Sequence, residues 1–235
     1  MATDARATLA LLPGLLCDEA LWRHQVDGLS DLADCRVADF TSQSSTAEMA
    51  ESVLALMPER FALAGLSMGG YVALEIMARQ PQRVTKLALL DTRAAADTPA
   101  QSRRRRGLIE LARKGRFKGV TPRLLPLLVH QDRLAEGALV AAVMAMAERI
   151  GKEAFLRQQK AIMTRRDHRD LLPEIDCPTL VLCGRQDALT PLDAHCDMAV
   201  AIPGARLEVL EDCGHLAPLE RPEAVTTNLR DWLLG

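Results

Sequence analysis

The sequence lacks the features that mark several classes of protein. Its six cysteines include no CxxC pair and no cluster with histidine at zinc spacing, so neither a disulfide framework nor a metal site is expected. No apolar run reaches the length of a membrane span. The formal net charge of -2 argues against a dedicated nucleic-acid-binding protein. We therefore expect reduced thiols in the cytoplasm, with no cofactor, no nucleic-acid partner and no membrane partner.

Short apolar runs alternate with helix-like segments along most of the chain. With 235 residues, 49% of them hydrophobic, there is enough material for one substantial core. Strands that are apolar nearly throughout are typical of a parallel sheet covered on both faces. The pattern predicts an α/β fold, a mainly parallel twisted sheet flanked by helices. The predicted strands are 7–12, 35–40, 61–66, 84–90, 179–183 and 205–210, and the predicted helices are 18–30, 46–57, 68–79, 192–202 and 222–234.

The alternation breaks once, where the chain reads as helical throughout between about 93 and 172. We predict a helical insertion (residues 98–172) after the fourth strand, with 1–97 and 173–235 forming the core. Residues 93–172 contain eighteen Lys or Arg against eight Asp or Glu, whereas the rest of the chain is acidic. Two interpretations stay open: a solvated surface that pairs with the core, or a surface that steers an anionic substrate.

A G-x-S-x-G pattern at residues 65–69 follows a predicted buried strand and precedes a predicted helix. A nucleophilic serine at a sharp strand-to-helix turn needs small residues two positions on either side, and Gly65 and Gly69 provide them. The alternative is a glycine-containing turn without chemistry. The position after a buried strand favours Ser67 as a nucleophile.

A serine hydroxyl needs a base and a group that orients the base. Asp187 and His215 each follow a later strand, and the chain order serine, acid, histidine is the order expected for this arrangement. Asp91, which directly follows the fourth strand, is a second candidate for the acid. We favour Asp187 because its loop matches the expected pattern over more residues. The remaining histidines, which we predict to be solvated, are His24, His130, His168 and His195.

Three segments carry a resemblance to a known family. "GLSMGGYVALEIMARQPQRVTKLALLDT", "GRQDALTP" and "DCGHLAPLERPEAV" resemble the nucleophile turn, acid loop and histidine loop of the α/β-hydrolase superfamily. The resemblance is strongest to small-ester and enol-lactone hydrolases with a helical cap, including pimeloyl-carrier-protein methyl ester esterases and a related menaquinone-pathway lyase. It implies that residues 98–172 form the cap.

The resemblance also implies the donors of an oxyanion hole, Leu15 and Met68. In the family the loop after the first parallel strand usually reads His-Gly-x, whereas this chain has Pro13-Gly14-Leu15. The support of that loop is therefore an open question. The family's usual amino-terminal β-hairpin is also expected to be absent, because the first parallel strand lies so near the start of this sequence.

The predicted function is that of a serine esterase. Its substrate is a small carboxylic ester, thioester or lactone, with an anionic or carrier-linked substrate as one possibility. Two alternatives stay open: a lyase that uses the same three residues as a base, and a protein that binds a small ligand without catalysis. Both a monomer and a homodimer are compatible with the sequence.

Overall fold

Six parallel strands form one sheet at the centre of the fold. The computed structural model of the protein describes residues 6–115 and 117–235, so residues 1–5 of the predicted core and residue 116 of the predicted insertion lie outside the described residues. The strand order is β2-β1-β3-β4-β5-β6, and each neighbouring pair is parallel. The strands are β1 (Ala7–Leu12), β2 (Ala33–Val37), β3 (Phe61–Leu66), β4 (Val84–Leu90), β5 (Thr179–Gly184) and β6 (Arg206–Leu210).

One predicted strand is shifted along the sequence. The sequence predicts β2 at 35–40, whereas the strand runs from Ala33 to Val37 and pairs with β1 from Ala7 to Leu11. As an edge strand it has polar, exposed residues at Asp34 and Arg36, so its apolar signal is weak where the strand begins.

Eight α-helices complete the described fold. Helix α2 begins where the sequence predicts, because the Ser45 hydroxyl accepts a hydrogen bond from the Glu48 amide at 3.1 Å. Predicted helix 18–30 consists of a 3-10 turn followed by the short α1. The helices are α1 (Arg23–Gly28), α2 (Thr46–Leu56), α3 (Met68–Arg79), α4 (Pro99–Lys114), α5 (Gly137–Thr164), α6 (Leu192–Ala201), α7 (Ala217–Glu220) and α8 (Pro222–Leu234). In the described part of the chain, none of them has both the length and the apolar character needed to cross a membrane.

The helices cover both faces of the sheet. Leu9 and Leu11 of β1 belong to a core cluster with α1 and α8, whereas Ala10 and Leu12 belong to a second cluster with α2, α3 and α6. This alternation follows from the two-residue period of a strand. Strands β3 and β5 are buried at every position, as expected for strands covered on both faces.

The predicted insertion, residues 98–172, contains two long helices, α4 and α5, and α5 is interrupted at Gly151, whose φ is 74°. The expectation of helix throughout is wrong for 117–136, where the structure has only turns and short 3-10 helices. Pro122, Pro126 and Gly119, which has a φ of 60°, account for the missing helix. The division into a core and a cap stays a prediction.

The substitution Gly69→Ala tests the packing around α3, and Gly107→Ala in α4 is its control. A Cβ at Gly69 would lie 2.6 Å from the backbone carbon of Leu12, whereas a Cβ at Gly107 of α4 would contact nothing within 4 Å. We expect Gly69→Ala to lower the free energy of unfolding by about 3 kcal/mol or more. Gly107→Ala should raise it by about 0.5–1 kcal/mol, because alanine favours a helix interior. Urea unfolding measures both, and equal effects would contradict the crowding at Gly69.

Candidate active site

Ser67 occupies a strained turn between β3 and α3. Its φ of 54° and ψ of -112° lie outside the regions that non-glycine residues normally adopt. A Cβ at Gly65 would lie 2.7 Å from the Gly70 nitrogen, and a Cβ at Gly69 would overlap the Leu12 backbone. Both positions therefore require glycine. The turn leaves the serine side chain at the carboxyl edge of the sheet, where ligands bind in open α/β folds.

The structure brings Ser67, His215 and Asp187 together in a hydrogen-bonded chain. The Ser67 Oγ lies 2.9 Å from His215 Nε2, and His215 Nδ1 lies 2.8 Å from Asp187 Oδ2. His215 and Asp187 are buried, at 3% and 4% exposure, so solvent competes little for the bond between them. The predicted chain order of serine, acid and histidine thus corresponds to direct contacts in space.

Further hydrogen bonds fix the Asp187 carboxylate. Its Oδ1 accepts from the amides of Leu189, at 2.8 Å, and Thr190, at 3.0 Å, and its Oδ2 accepts from the Thr190 hydroxyl. Burial by itself would raise the pKa of Asp187, but the interaction with His215 and the bonds from Thr190 outweigh it and hold that pKa below its usual value. The carboxylate is thereby kept ionised next to the imidazole.

Asp91, the second candidate for the acid, has other partners. Its Oδ1 accepts from the Gly184 amide at 2.9 Å and its Oδ2 from the Ala217 amide at 3.3 Å. Burial, and then the charge of Asp187, raise the pKa of Asp91 well above its usual value. Asp91 therefore links the acid and histidine loops, whereas Asp187 contacts the imidazole.

The two predicted oxyanion donors lie beside Ser67. A Cβ at Gly14 would be 3.4 Å from the Ser67 Cβ, so the loop that carries Leu15 passes next to the serine. Met68 is the first residue of α3, so its amide has no acceptor within the helix. Leu15 and Ser67 line the same cavity.

Glu220 holds the histidine loop and joins it to the insertion. Its Oε1 accepts from the amides of Gly214, at 3.0 Å, and Leu216, at 3.1 Å, while its Oε2 accepts from the His130 amide at 2.7 Å. In the same region the His215 amide donates to a backbone carbonyl of the insertion, that of residue 128. Burial raises the pKa of Glu220, although these amide bonds act in the opposite direction. The sequence pattern did not reveal this role, because Glu220 looks like an ordinary helix residue.

The predicted exposure of three histidines is wrong: His130, His168 and His195 are buried, at 7%, 7% and 0% exposure. His195 accepts a hydrogen bond from the Thr92 amide at Nε2, at 2.9 Å, and its Nδ1 lies 3.2 Å from the Pro191 carbonyl. The Thr92 hydroxyl in turn donates to the Ser67 carbonyl at 2.8 Å. His195 therefore supports the serine turn through Thr92. No local motif in the sequence indicates that contact.

A cavity of about 600 Å³ opens at Ser67 and extends under the insertion. Apolar side chains between residues 122 and 129 contribute to its wall, as do side chains of α4 and α5. These apolar lining residues include Leu108, Leu124, Leu127, Leu128, Val143 and Met146. An apolar cavity with a few polar groups is typical of a site for small molecules.

Charged side chains line the same cavity, and positive ones predominate. Four cationic side chains and one carboxylate line the cavity among the described residues: Arg93, Arg104, Arg105 and Lys118, and Asp97. Arg105 Nε lies 2.7 Å from Asp97 Oδ2, and a second arginine of the insertion contacts Asp97 Oδ1 at the same distance. The negative charge of Asp97 is therefore compensated, which leaves the cavity with an excess of positive charge.

Cysteine thiols and clusters of metal-ligating side chains are two other sources of chemistry in proteins. All six cysteines are free. Burial raises the pKa of Cys17 to about 12 and also raises that of Cys213, so both thiols near the site stay protonated at neutral pH. Across residues 6–115 and 117–235, no group of three or more His, Cys, Asp or Glu could hold a metal ion.

A family model described as the alpha/beta hydrolase family matches residues 9–227. The chain belongs to the alpha/beta hydrolase family. The predicted family and fold class are therefore confirmed.

Among curated relatives of this alpha/beta hydrolase, a putative carbamate hydrolase (RutD) of Agrobacterium fabrum is 29% identical, over 99% of this chain and 95% of the relative. A pimeloyl-carrier-protein methyl ester esterase of Vibrio campbellii is 25% identical, over 95% and 93%.

Solved structures of similar proteins include those of an esterase and an enol-lactonase. A thermophilic esterase from Thermogutta terrifontis superimposes with a TM-score of 0.86 at 31% identity, over 97% of this chain and 90% of that one. An enol-lactonase from Burkholderia xenovorans superimposes with a TM-score of 0.89 at 26% identity, over 99% and 94%. The chain is thus similar to hydrolases along nearly its whole length.

The buried His195 generates a prediction about pH and stability. Burial lowers the pKa of His195 to about 4. The negative charge of nearby Asp187 raises this pKa, but its effect is smaller than that of burial. Between about pH 6.5 and 4 the unfolded state therefore binds more protons, so stability falls as the pH falls, by up to about 3 kcal/mol from this residue. We expect His195→Gln to flatten this part of the stability curve, measured by urea unfolding at several pH values. His24→Gln, at a partly exposed histidine, is the control. An unchanged slope in His195→Gln would contradict the assignment.

Proposed function

We propose that this alpha/beta hydrolase is a serine esterase that cleaves a small carboxylic ester, thioester or lactone through an acyl-enzyme. The observation that carries the proposal is the chain of contacts from Ser67 Oγ to His215 and on to Asp187, at 2.9 and 2.8 Å. A base within hydrogen-bond reach of a serine, and itself oriented by a carboxylate, is what activation of the hydroxyl requires.

In the proposed first half-reaction, Ser67 Oγ attacks the substrate carbonyl carbon and its proton moves to His215 Nε2. Asp187 holds the imidazole in the required tautomer and stabilises the imidazolium. The carbonyl oxygen becomes an oxyanion, which the amides of Leu15 and Met68 stabilise. The intermediate then collapses, the bond to the leaving alcohol or thiol breaks, and His215 gives its proton to the leaving group.

The second half-reaction releases the acid. Water attacks the ester formed on Ser67, and His215 accepts the water proton. The second tetrahedral intermediate collapses, the bond to Ser67 Oγ breaks, and His215 returns the proton to the serine. The carboxylic acid product then leaves. With a lactone substrate the acid and the alcohol are parts of one molecule, so the product is a single hydroxy acid.

The lining of the cavity fits a substrate whose acyl group has an apolar body and a negatively charged end. Leucine, valine and methionine side chains of the insertion form the apolar wall, whereas Arg93, Arg104 and Lys118 supply positive charge. On this proposal the insertion acts as a cap over Ser67. The free cysteines support a reducing, cytoplasmic location. Monomer or homodimer stays an open prediction.

The nucleophile assignment predicts a single site of covalent labelling. An organophosphonate ester probe should modify Ser67 alone, and the purified protein should hydrolyse a short p-nitrophenyl ester. Ser67→Ala should abolish the labelling and lower turnover by several orders of magnitude. Intact-protein and peptide mass spectrometry locate the label. A label elsewhere would refute the assignment.

Two further outcomes of the same measurements separate the alternatives. Labelling of Ser67 without turnover of any methyl, thio or lactone ester would favour a lyase, and neither labelling nor turnover would favour a ligand-binding protein. Asp187→Asn, which imposes the wrong imidazole tautomer, should reduce kcat by about 10⁴. Asp91→Asn should reduce it much less, and the reverse ranking would place the acid at Asp91.

Charge at the cavity predicts a preference for esters that end in a carboxylate. Arg103 and Arg104 are adjacent and exposed on α4, but only Arg104 lines the cavity. Arg104→Glu should lower kcat/KM for a carboxylate ester about tenfold more than for a matched neutral methyl ester. Arg103→Glu changes the net charge equally and is the control. Direct contact, rather than long-range steering, is what distinguishes the two positions.

Salt provides the second arm of that experiment. Raising salt from about 50 to about 500 mM shortens the screening length, so the preference of the wild-type protein for the carboxylate ester should fall. Equal salt dependence for the two esters, together with equal effects of the two substitutions, would mean that the basic insertion is only a solvated surface.

A further inference from the structure

The loop after β1 has Pro13 where the family usually has a histidine. A residue of helix α5, Gln158, contacts this loop. The Leu16 amide donates to Gln158 Oε1 at 3.0 Å, and Gln158 Nε2 donates to the Phe40 carbonyl at 3.1 Å. Gln158 lies on α5 and is 1% exposed. One buried amide thus joins the loops that follow β1 and β2.

We propose that Gln158 is a positioning residue that holds the Leu15 amide in the geometry of the oxyanion hole. The inference rests on the proposed esterase function. It assigns to α5, a helix of the insertion, a direct part in aligning the loop that faces Ser67.

The conformation of the loop explains why it needs an external bond. Leu16 has a φ of 60°, which leucine rarely adopts. Such conformations persist where surrounding contacts fix them. The Cys17 amide closes the turn by donating to the Gly14 carbonyl at 3.2 Å, and Gln158 fixes the Leu16 amide. Leu15 lies between these two anchored points, so its own N–H direction depends on both.

The position of Gln158 is itself well fixed. The preceding residue, Arg157, donates through Nε to the Thr41 carbonyl at 2.8 Å, so two consecutive residues of α5 bind the loop after β2. Ala161 and Ile162, one turn further on, are buried in the core cluster that includes Phe40. Because both ends of the Gln158 amide are satisfied, and because a buried amide without partners is unfavourable, the side chain has one strongly preferred orientation.

Gln158→Met removes both hydrogen bonds at nearly constant volume and tests the proposal. We expect kcat for a p-nitrophenyl ester to fall about 10- to 100-fold while KM changes less than about threefold, because a displaced oxyanion donor acts only on the transition state. The affinity for a trifluoromethyl ketone, whose adduct with Ser67 places an oxyanion in the hole, should fall in parallel. Gln158→Glu keeps an acceptor for the Leu16 amide and should retain more activity than Gln158→Met.

The control is Gln25→Met, which removes another buried glutamine, whose Nε2 donates to acceptors on residues 218, 222 and 226. Rates are divided by the concentration of sites that react with a phosphonate ester, so a loss of folded protein does not count as a loss of catalysis. If Gln158→Met and Gln25→Met have equal kcat and equal ketone affinity per reactive site, Gln158 is a packing residue and the proposal is overturned. Absence of turnover in the wild-type protein would instead overturn the esterase function and this inference with it.

Discussion

The steric constraint at the turn between β3 and α3 determines much of the fold around it. Ser67 has a positive φ, so the chain reverses within a few residues and α3 is brought against the backbone of β1. Only glycine fits at Gly65 and Gly69. The strands are all parallel, so the loops that follow β3, β5 and β6 leave from the same edge of the sheet. The turn places the Ser67 side chain at that edge, within hydrogen-bond distance of His215, 148 residues later in the sequence.

Three buried carboxyl groups share this edge, and their surroundings divide their roles. His215 and Thr190 keep the pKa of Asp187 low, whereas burial raises the pKa of Asp91 and of Glu220. Three ionised carboxylates in one buried region would repel each other strongly. Asp91 and Glu220 accept hydrogen bonds from backbone amides with both of their oxygens, whereas Asp187 contacts the imidazole.

Local patterns in the sequence predicted most of the sheet and the contacts of three site residues. Ser67 follows a buried apolar strand between glycines, and His215 and Asp187 lie in short loops after later strands, so topology alone brings them to one edge. Contacts that depend on packing between distant segments were not predictable. Gln158 and Glu220 look like ordinary helix residues. The prediction that His195 is solvated is wrong, because nothing near it in the sequence indicates its partner, the Thr92 amide. Edge strand β2 was misplaced because its polar residues weaken the apolar signal.

The contacts of the insertion with the histidine loop limit how such a segment can be exchanged during evolution. A segment taken from a relative would need a backbone amide at position 130 that donates to Glu220, and a backbone carbonyl at position 128 that accepts from the His215 amide. It would also need side chains that form a cavity wall of suitable shape. Recombination at the borders of the insertion would therefore often yield a folded sheet with a poorly aligned imidazole. Gradual substitution of cavity-lining side chains, which leaves these backbone contacts intact, is the easier route to a new substrate.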